Sequence, residues 1–454
     1  MVDERRDPAG WLALAEEAVR LAEHEGASQA EAVLTTEDAA LTRFANSEIH
    51  QNVAETNAHL SLRVVMGKRV GVASTGRLDP EGLRAVAQTA ARIARNVEEN
   101  DEFSSLPGPD GGPPHELAAA YAAGTAEATP ELRAEGARAV IAAADAAGVV
   151  AYGSFATTTE TLAVANSLGI RAAGQRTWSQ LLTVSMGPGG GTGYAEVAAV
   201  DATTIDPGAL GREAAARARA TADAISIEPG DYPVVLESYA VVDLLDMLGY
   251  LGFSALAVQE GRSFVELGRR VGSELVNVWD DGADPAGLPI AFDFEGVPKQ
   301  RVPLIERGVC VGVVYDAQTA AKDGVRSTGH GLPAPNPWGP FPLNMVMAAG
   351  DASHDELVGG MERGLLVTRF HYTNPVHPKL AIVTGMTRDG TFLVEHGRIV
   401  GPVKNLRFTQ SYLDALAGVE AVGRDRHCLK GFLGGAVVPP VRIASWTFTG
   451  GTEH

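Results

Sequence analysis

Hydrophobic residues recur at every third or fourth position in several segments, which is the spacing of an amphipathic helix. Between these segments, short apolar runs are bounded by turn-forming residues, as is typical of strands. The pattern predicts helices at 11–25, 80–97, 129–147, 207–224, 240–251, 355–363 and 411–419. It predicts strands at 32–34, 41–44, 59–65 and 69–73, several more between 149 and 199, and others at 290–294, 308–315, 364–372, 380–384, 391–395, 398–403 and 441–446.

Turn signals between these elements indicate how the chain is divided. Helix, strands and helix follow one another twice before residue 225, with an Asn-Ser turn at Asn46 and again at Asn166. This order fits either an internal duplication or one α+β domain whose elements alternate. Asp389-Gly390 and His396-Gly397 are predicted as tight turns later in the chain.

The chain is predicted to have an α+β fold with two domains. A junction rich in proline and glycine at 225–233 separates residues 1–228 from residues 229–454. The first domain should combine helices with antiparallel strands. The second should be a β-rich body, barrel-like or sandwich-like, with added helices.

Composition narrows the possible partners and the compartment. The chain has 454 residues, with 37 Lys and Arg against 56 Asp and Glu, so its net charge of −19 disfavours nucleic acid. Two cysteines form no disulfide framework, which favours a reducing compartment. The sequence has no uncharged apolar run of about 18 residues and no apolar N-terminal segment. We therefore expect a cytoplasmic protein without a membrane partner.

Residues 234–330 contain the densest set of polar loop residues. On the predicted helix 240–251, Asp243, Asp246 and Tyr250 lie away from the leucine stripe and face either solvent or a cleft. Two pairs of carboxylates follow, Asp280 with Asp281 and Asp293 with Glu295. Such pairs suit acid–base chemistry or Ca²⁺ and Mg²⁺. Capping of turns, with Arg262 paired to one of these carboxylates, is the interpretation we favour.

Metal ligands are sparse among the eleven histidines, and no His-x-x-x-His spacing occurs. The weak candidates are His115-Glu116, the pair His371 and His377, and His427 with the adjacent Cys428. A structural role explains each of them more simply than a metal site does. The glycine-rich run 187–193 lacks the following Lys-Ser/Thr of a phosphate loop and is predicted to be a hairpin.

An ordered set of short motifs resembles the family of TldD and TldE (PmbA) proteins, once described as modulators of DNA gyrase. The matching segments occur in consistent order over essentially the whole chain. They are Arg43-Phe-Ala-Asn-Ser-Glu-Ile-His-Gln51, Asn166-Ser-Leu-Gly169, Gly261-Arg-Ser-Phe264, Asp280-Asp281, Phe292-Asp-Phe-Glu-Gly-Val-Pro298, Thr319-Ala-Ala-Lys322, Thr328-Gly329, Gly364-Leu-Leu-Val-Thr368 and the ending 443–451.

The resemblance implies a zinc metallopeptidase in which only one kind of subunit holds the metal. The TldD-like subunit carries His-Glu-x-x-x-His on the helix that matches 240–251, together with a later cysteine. Here the six positions read Asp246-Met-Leu-Gly-Tyr-Leu251, so both histidines and the glutamate are missing. The resemblance therefore implies a TldE-like subunit with no catalytic residue and no cofactor of its own, and with zinc in a TldD-like partner.

The resemblance also implies a heterodimer that admits unfolded peptides, with this chain contributing part of the chamber. Peptide would bind by adding a strand to a sheet edge, for which 364–372, 380–384 and the loop 260–264 are candidates. The candidate peptide-binding residues are Asp243, Asp246, Tyr250, Arg262, Ser263 and Thr368. Two alternatives remain: a self-sufficient homodimeric metallopeptidase with an unconventional metal site near Cys428, and a peptide-binding scaffold. The isolated chain could also form a homodimer.

Overall fold

The computed structural model describes residues 7–112, 116–432 and 434–451. The helices in these ranges are α1 (Pro8–His24), α2 (Pro80–Asn96), α3 (Ala123–Ala126), α4 (Pro130–Ala146), α5 (Pro207–Ala220), α6 (Ser238–Leu251), α7 (Ala255–Gln259), α8 (Ala317–Asp323), α9 (His354–Gly359) and α10 (Tyr412–Ala417). All seven predicted helices are confirmed, and α3, α7 and α8 are additional short ones.

The strands belong to two separate parts of the fold, one N-terminal and one C-terminal. The N-terminal ones are β1 (Gln29–Ala45), β2 (Glu48–Met66), β3 (Arg69–Thr75), β4 (Val150–Asn166), β5 (Arg171–Met186) and β6 (Thr192–Ala199). The others are β7 (Gly230–Leu236), β8 (Val278–Asp280), β9 (Val302–Glu306), β10 (Val309–Cys310), β11 (Met345–Met347), β12 (Arg363–His377), β13 (Ile382–Glu395), β14 (Arg398–Pro402), β15 (Leu406–Ser411), β16 (Val419–Val422), β17 (His427–Lys430), β18 (Gly435–Val438) and β19 (Val441–Gly451). The α+β fold class is therefore confirmed.

The four long N-terminal helices begin with the same local device. Each has a proline in its first turn, after a residue whose side chain accepts a backbone N–H of that turn. This arrangement satisfies an otherwise unpaired donor and presets the helical φ. The capping residues are Asp7, Asp79, Thr129 and Asp206.

The N-terminal sheet has the strand order β3-β2-β1-β4-β5-β6, and all of its neighbours are antiparallel. The units α1-β1-β2-β3-α2 and α4-β4-β5-β6-α5 have the same connectivity and meet at the β1–β4 ladder. The repeated order in the sequence thus corresponds to two αβββα units within one continuous sheet.

Helices cover only one face of this sheet. Buried residues of α1 and α2 pack on Ala32 and Leu34, and those of α4 and α5 pack on Phe155, all on the same side of the strands. The opposite face carries Val33 and Val164, which pack on Phe292 from the C-terminal region. The helix-free face is therefore turned toward the C-terminal body.

The C-terminal body contains a closed five-stranded barrel. Its strands follow the order β12-β7-β19-β15-β13, and β13 pairs again with β12. The fully buried Trp446 stacks on Phe370 at 4.9 Å between ring centroids. A second sheet has the order β10-β9-β8-β11-β18-β17. In the described ranges, no helix combines the length and the apolar character that a membrane crossing requires.

One predicted turn is wrong. Residues 382–384 of one predicted strand and 391–395 of the next lie in a single strand, β13, and Asp389-Gly390 is inside it rather than between strands. Asp389 has φ 54°, Gly390 has φ 141°, and the register against β12 shifts at this point. The pair therefore forms an irregularity of the β-bulge kind. The other predicted turn, His396-Gly397, is confirmed between β13 and β14.

Several predicted strands also have different bounds. Segments 32–34 and 41–44 belong to the single strand β1, and 59–65 is the end of the longer β2. Segment 308–315 keeps only the two residues of β10. Segment 290–294 is not a strand, because the Asp293 carboxylate accepts the N–H groups of Glu295 and Val297 and closes a local turn.

Candidate functional site

A cleft of about 1110 Å³ lies between the helix-free face of the N-terminal sheet and loops of the C-terminal body. Both the sheet and the loops contribute polar and apolar side chains to its wall. They include Glu37, His59 and Glu160 from the sheet, and Leu332, Leu343 and Phe432 from the loops. This size and mixed lining suit a flexible ligand that has both a polar backbone and apolar side chains.

A buried charge network lies beside this cleft. Asp280 is fully buried, and its Oδ1 lies 3.0 Å from Lys299 Nζ and 2.8 Å from His330 Nε2. The Asn344 N–H donates to the other carboxylate oxygen at 2.7 Å. Burial alone would raise the pKa of Asp280, but Lys299 and His330 hold it below its ordinary value. The network therefore contains a buried anion paired with a buried cation.

A second cluster joins the sheet to the C-terminal loops. Arg63 on β2 lies 2.7 Å from Glu31 and 3.5 Å from Glu295, so one guanidinium bridges two carboxylates. Burial, followed by the neighbouring Asp293, raises the pKa of Glu295 to about 8. Asp293 accepts three backbone N–H groups, including that of Gly331 at 2.6 Å. These bonds oppose the effect of burial, which still raises the pKa of Asp293 to about 7, so the two carboxyls together hold a proton near neutral pH.

The predicted turn-capping role of these carboxylates is confirmed for two of them. Asp293 closes the turn described above, and Asp281 accepts the Ala283 N–H at 3.0 Å. The predicted pairing of Arg262 with one of the four is wrong. Arg262 instead lies 2.5 Å from Glu260, because the exposed loop brings these near neighbours together.

Both aspartates on α6 have protein partners. Asp243 accepts from Thr373 Oγ1 at 2.7 Å and from Tyr412 OH at 3.4 Å, and burial raises its pKa to about 6. Asp246 accepts the Phe432 N–H at 2.5 Å, and burial raises its pKa to about 7. Their face of the helix packs on other parts of this chain. It therefore faces neither solvent nor a cleft, the two environments expected from the sequence.

The remaining candidate residues are separated from the cleft. Tyr250 stacks near Trp338 and Phe341, with 6.0 and 6.1 Å between ring centroids. Ser263 is buried and donates to the Gly252 carbonyl at 2.8 Å, and Thr368 is fully buried. None of the six described candidates lines the cleft. Their role in peptide binding stays a prediction, and the buried Thr368 cannot touch a ligand in this conformation.

Phe432 is a cleft residue that lies outside the sequence motifs described above. Its side chain is 82% exposed and lines the cleft, and its backbone is bonded to Asp246. A phenylalanine placed between the glycines at 431 and 434 was the available signal, because such a residue has little local packing to bury it. The α6 carboxylate thus holds an exposed aromatic ring at the cleft wall.

The Asp246→Ala variant is expected to loosen this backbone segment. Without the carboxylate, the Phe432 amide should exchange its hydrogen about tenfold faster, since a lost bond to a charged acceptor corresponds to about 1.4 kcal/mol or more. Native-state hydrogen exchange of that amide measures the effect. Asp246→Asn is the matched control, because it keeps an accepting oxygen and should exchange within about threefold of the parent. Equal rates in all three proteins would contradict the anchoring role.

The residues on α6 do not suit the zinc that the family resemblance implies. The two positions matched to the motif histidines are Asp246, whose carboxylate binds the Phe432 N–H, and Leu251, a buried hydrocarbon. Met247 occupies the position of the general base. A hydrocarbon offers no donor atom, so this helix lacks the set of ligands that zinc requires.

The other metal candidates gain no support from their placement. His427 and Cys428 are neighbours on β17, and successive side chains of a strand point to opposite faces. They therefore cannot both face one ion. His377 accepts the Leu380 N–H, and His371 makes an edge-to-face contact with Tyr372. Within the described ranges, no group of three or more His, Cys, Asp or Glu side chains could hold a metal, and His115 lies outside those ranges.

The Cys428 thiol is expected to be unreactive in the native protein. Burial, and then the nearby Glu196 and Asp284, raise its pKa to about 12. The thiolate, which is the reactive species, is therefore scarce at pH 8. Iodoacetamide labelling followed by mass spectrometry should show no modification of the native chain within an hour. The same chain in guanidinium should label fully, and rapid native labelling would contradict the expectation.

Comparisons with known proteins agree with this fold. The model described as the PmbA/TldA metallopeptidase C-terminal domain matches residues 229–450, and that of PmbA/TldA metallopeptidase domain 1 matches residues 30–94. A protein named metalloprotease TldD homolog, from Buchnera aphidicola, is 29% identical over 206 residues, which are 43% of this chain and 41% of that protein. The chain spans about half the length, or less, of the curated relatives it matches.

Solved structures share the whole fold. TldE from Thermococcus kodakarensis matches with a TM-score of 0.88 at 21% identity, over 96% of this chain and 100% of that one. A putative modulator of a DNA gyrase from Thermotoga maritima matches with a TM-score of 0.85 at 22% identity, over 96% and 99% of the two chains. The two domain matches together cover well over half of the sequence. The chain is therefore a member of the PmbA/TldD metallopeptidase family.

Proposed function

We propose that this chain is the non-catalytic, TldE-like subunit of a TldD/TldE-type zinc metallopeptidase that degrades or matures unfolded peptides. It forms a heterodimer with a TldD-like partner in the cytoplasm. The partner holds the zinc, and this chain contributes peptide-binding surface and part of the chamber. One observation carries the proposal. At the helix positions where the TldD-like motif has ligands and a base, this chain has a carboxylate bonded to Phe432, together with two apolar side chains.

The cleft supports the peptide-binding part of the proposal. An unfolded peptide presents backbone donors and acceptors together with apolar side chains, and the cleft offers both polar and apolar groups along its walls. The exposed Phe432 ring provides an apolar contact that tolerates many side chains. The negative net charge favours peptides without acidic residues.

Reconstitution with a TldD-like subunit tests the proposal. The chain, its partner and their mixture would each be assayed for bound zinc and for cleavage of a fluorogenic, unstructured peptide. We expect no cleavage and no stoichiometric zinc from this chain alone. We expect co-elution with the partner and at least a tenfold gain in cleavage by the mixture. Stoichiometric zinc and cleavage by this chain alone would favour the self-sufficient enzyme, and failure to bind any TldD-like subunit would favour the scaffold.

A further inference from the structure

One strand of the N-terminal sheet is paired on both sides along only part of its length. β2 pairs with β1 from end to end, whereas β3 covers only Leu60–Met66. Residues 48–59 make no backbone hydrogen bond to any described residue on their outer side. Twelve extended residues span about 40 Å, so this open edge is long for a folded protein.

Hydrogen bonds at the end of β1 show which residues of β2 face the open side. The Ser167 N–H donates to the Ala30 carbonyl at 2.8 Å, so Ala30 turns its backbone groups toward β4. Along a strand, the backbone N–H and C=O groups of successive residues point to opposite sides. The odd-numbered residues of β1 therefore direct these groups toward β2. In the register Leu41 to Val53, they bond to the odd-numbered residues of β2. The outward-facing residues are therefore Asn52, Ala54, Thr56 and Ala58.

The corresponding edge in the second αβββα unit is shielded. β6 covers only Ser179–Met186 of β5, as β3 covers only part of β2. Beyond β6, however, the chain returns. The Ala122 N–H donates to Thr177 Oγ1 at 2.9 Å, and that hydroxyl donates to the Val200 carbonyl at 3.0 Å. No described segment bonds to the outer edge of β2 at residues 48–59 in this way. Within the described residues, the open edge therefore occurs in the first αβββα unit and not in the second.

The open edge also lacks the usual protection against pairing. Exposed edges are commonly blocked by lysine, proline or a bulge. Residues 52–58 read Asn-Val-Ala-Glu-Thr-Asn-Ala, so Glu55 is their one charged side chain and they contain neither lysine nor proline. The register with β1 shifts only before them, near Arg43 and Phe44. The backbone groups of this segment are therefore free to accept another strand.

The edge is continuous with the cleft. Asn57 and His59 of β2 line the cleft wall, so a chain paired with residues 52–58 would run into it. Carboxylates accompany this path, with Glu55 on β2 and Glu37 on the cleft wall, whereas Glu160 is paired with Arg176. Their charge favours an occupant that is uncharged or basic.

We propose that residues 52–58 of β2 are a docking edge on which an extended, uncharged or basic peptide adds as a further strand and enters the cleft. Each of the four outward-facing residues offers one backbone donor and one acceptor, which gives affinity without sequence specificity. This inference rests on the proposed peptide-binding function and assigns that function a place. The barrel strands are closed in part: β13 is paired on both sides over residues 382–386, and β12 over residues 365–367, so these parts offer no open edge.

Fluorescence anisotropy with the full chain tests the docking edge. The probe is a fluorescein-labelled peptide of alternating threonine and valine with a lysine at each end. One version is N-methylated at every second residue and keeps one hydrogen-bonding edge, and another is N-methylated throughout and keeps none. An added strand uses only one edge. We therefore expect the first version to bind within about threefold of the parent peptide and the second at least tenfold more weakly.

Variants of the outward position Ala54 give a second readout. Ala54→Pro removes an outward N–H without removing a β1–β2 hydrogen bond and should weaken peptide binding at least tenfold. Ala54→Thr keeps the N–H and should bind like the parent. If Ala54→Pro fails to fold by circular dichroism, the methylated peptides decide alone, because they require no variant.

The outcomes separate this inference from the proposed function. Equal binding of all three peptides would overturn the docking edge and leave the proposed function standing. Parent-like binding of the peptide by a folded Ala54→Pro variant would do the same. No binding of the parent peptide by the unmodified chain would count against both. Self-association of the chain that Ala54→Pro abolishes would assign the edge to a second copy and also overturn the inference.

Discussion

A Lys299→Met variant is expected to lose about 3–5 kcal/mol of stability at pH 8, because it removes one member of a buried ion pair. The Lys299 side chain is 3% exposed and its partner Asp280 is fully buried. Methionine has a similar length but leaves the carboxylate without its cation. Guanidinium denaturation followed by tryptophan fluorescence measures the loss, as a shift of the transition midpoint.

The same variant should be less destabilised at pH 5.5. His330 also contacts Asp280, and burial and the charge of Lys299 lower the pKa of this histidine. With that charge gone, His330 can take up a proton at lower pH and replace the missing cation. Lys322→Met is the control, since Lys322 and its partner Glu102 are both exposed, and it should change stability by less than about 0.5 kcal/mol. Similar losses in the two variants would contradict the role of the buried pair.

A Glu295→Gln variant is expected to flatten the dependence of stability on pH. The pKa of Glu295 is raised to about 8 in the folded chain, so its protonated form favours folding. That contribution is complete below about pH 4 and is lost as the pH rises through about 8. The parent should therefore lose about 3–4 kcal/mol between pH 5 and pH 8.5 that the variant, which has no titrating carboxyl at position 295, does not lose.

Thermal or guanidinium unfolding of both proteins over this pH range provides the measurement. Glu306→Gln replaces an exposed carboxylate on β9 and should leave the slope of the parent unchanged. Parallel pH dependences of the parent and Glu295→Gln between pH 5 and pH 8.5 would show that Glu295 is already ionised in the folded state. Arg63 would then be the dominant neighbour of this carboxylate.

Helices were predictable from this sequence because their signals are local. The capping residues before Pro8, Pro80, Pro130 and Pro207 mark four helix starts, and apolar periodicity gives their lengths. Strand lengths were harder to predict. The distal part of the β1–β2 arm is polar and exposed, so it lacks the alternation by which strands are recognised.

The site was only partly predictable, because its walls come from distant parts of the chain. Glu160 and Phe432 line one cleft, yet no spacing rule connects them. The sequence singled out Asp246 but left its surroundings open, since its partner is a backbone amide 186 residues away. The chemistry missing from α6 was predictable from the sequence, because the identity of a side chain alone decides whether it can bind zinc.

The β1–β4 ladder has a consequence for the origin of the N-terminal sheet. Residues 31–44 pair with residues 153–166 without a register shift, and this contact alone unites the strands of the two αβββα units. A single unit would leave its first strand bare and would require a second copy to cover it. The sheet can thus be viewed as an ancestral symmetric dimer whose halves were fused into one polypeptide. After such a fusion the sequences of the two halves could diverge independently. One half could then shield its outer strand while the other left its outer strand exposed.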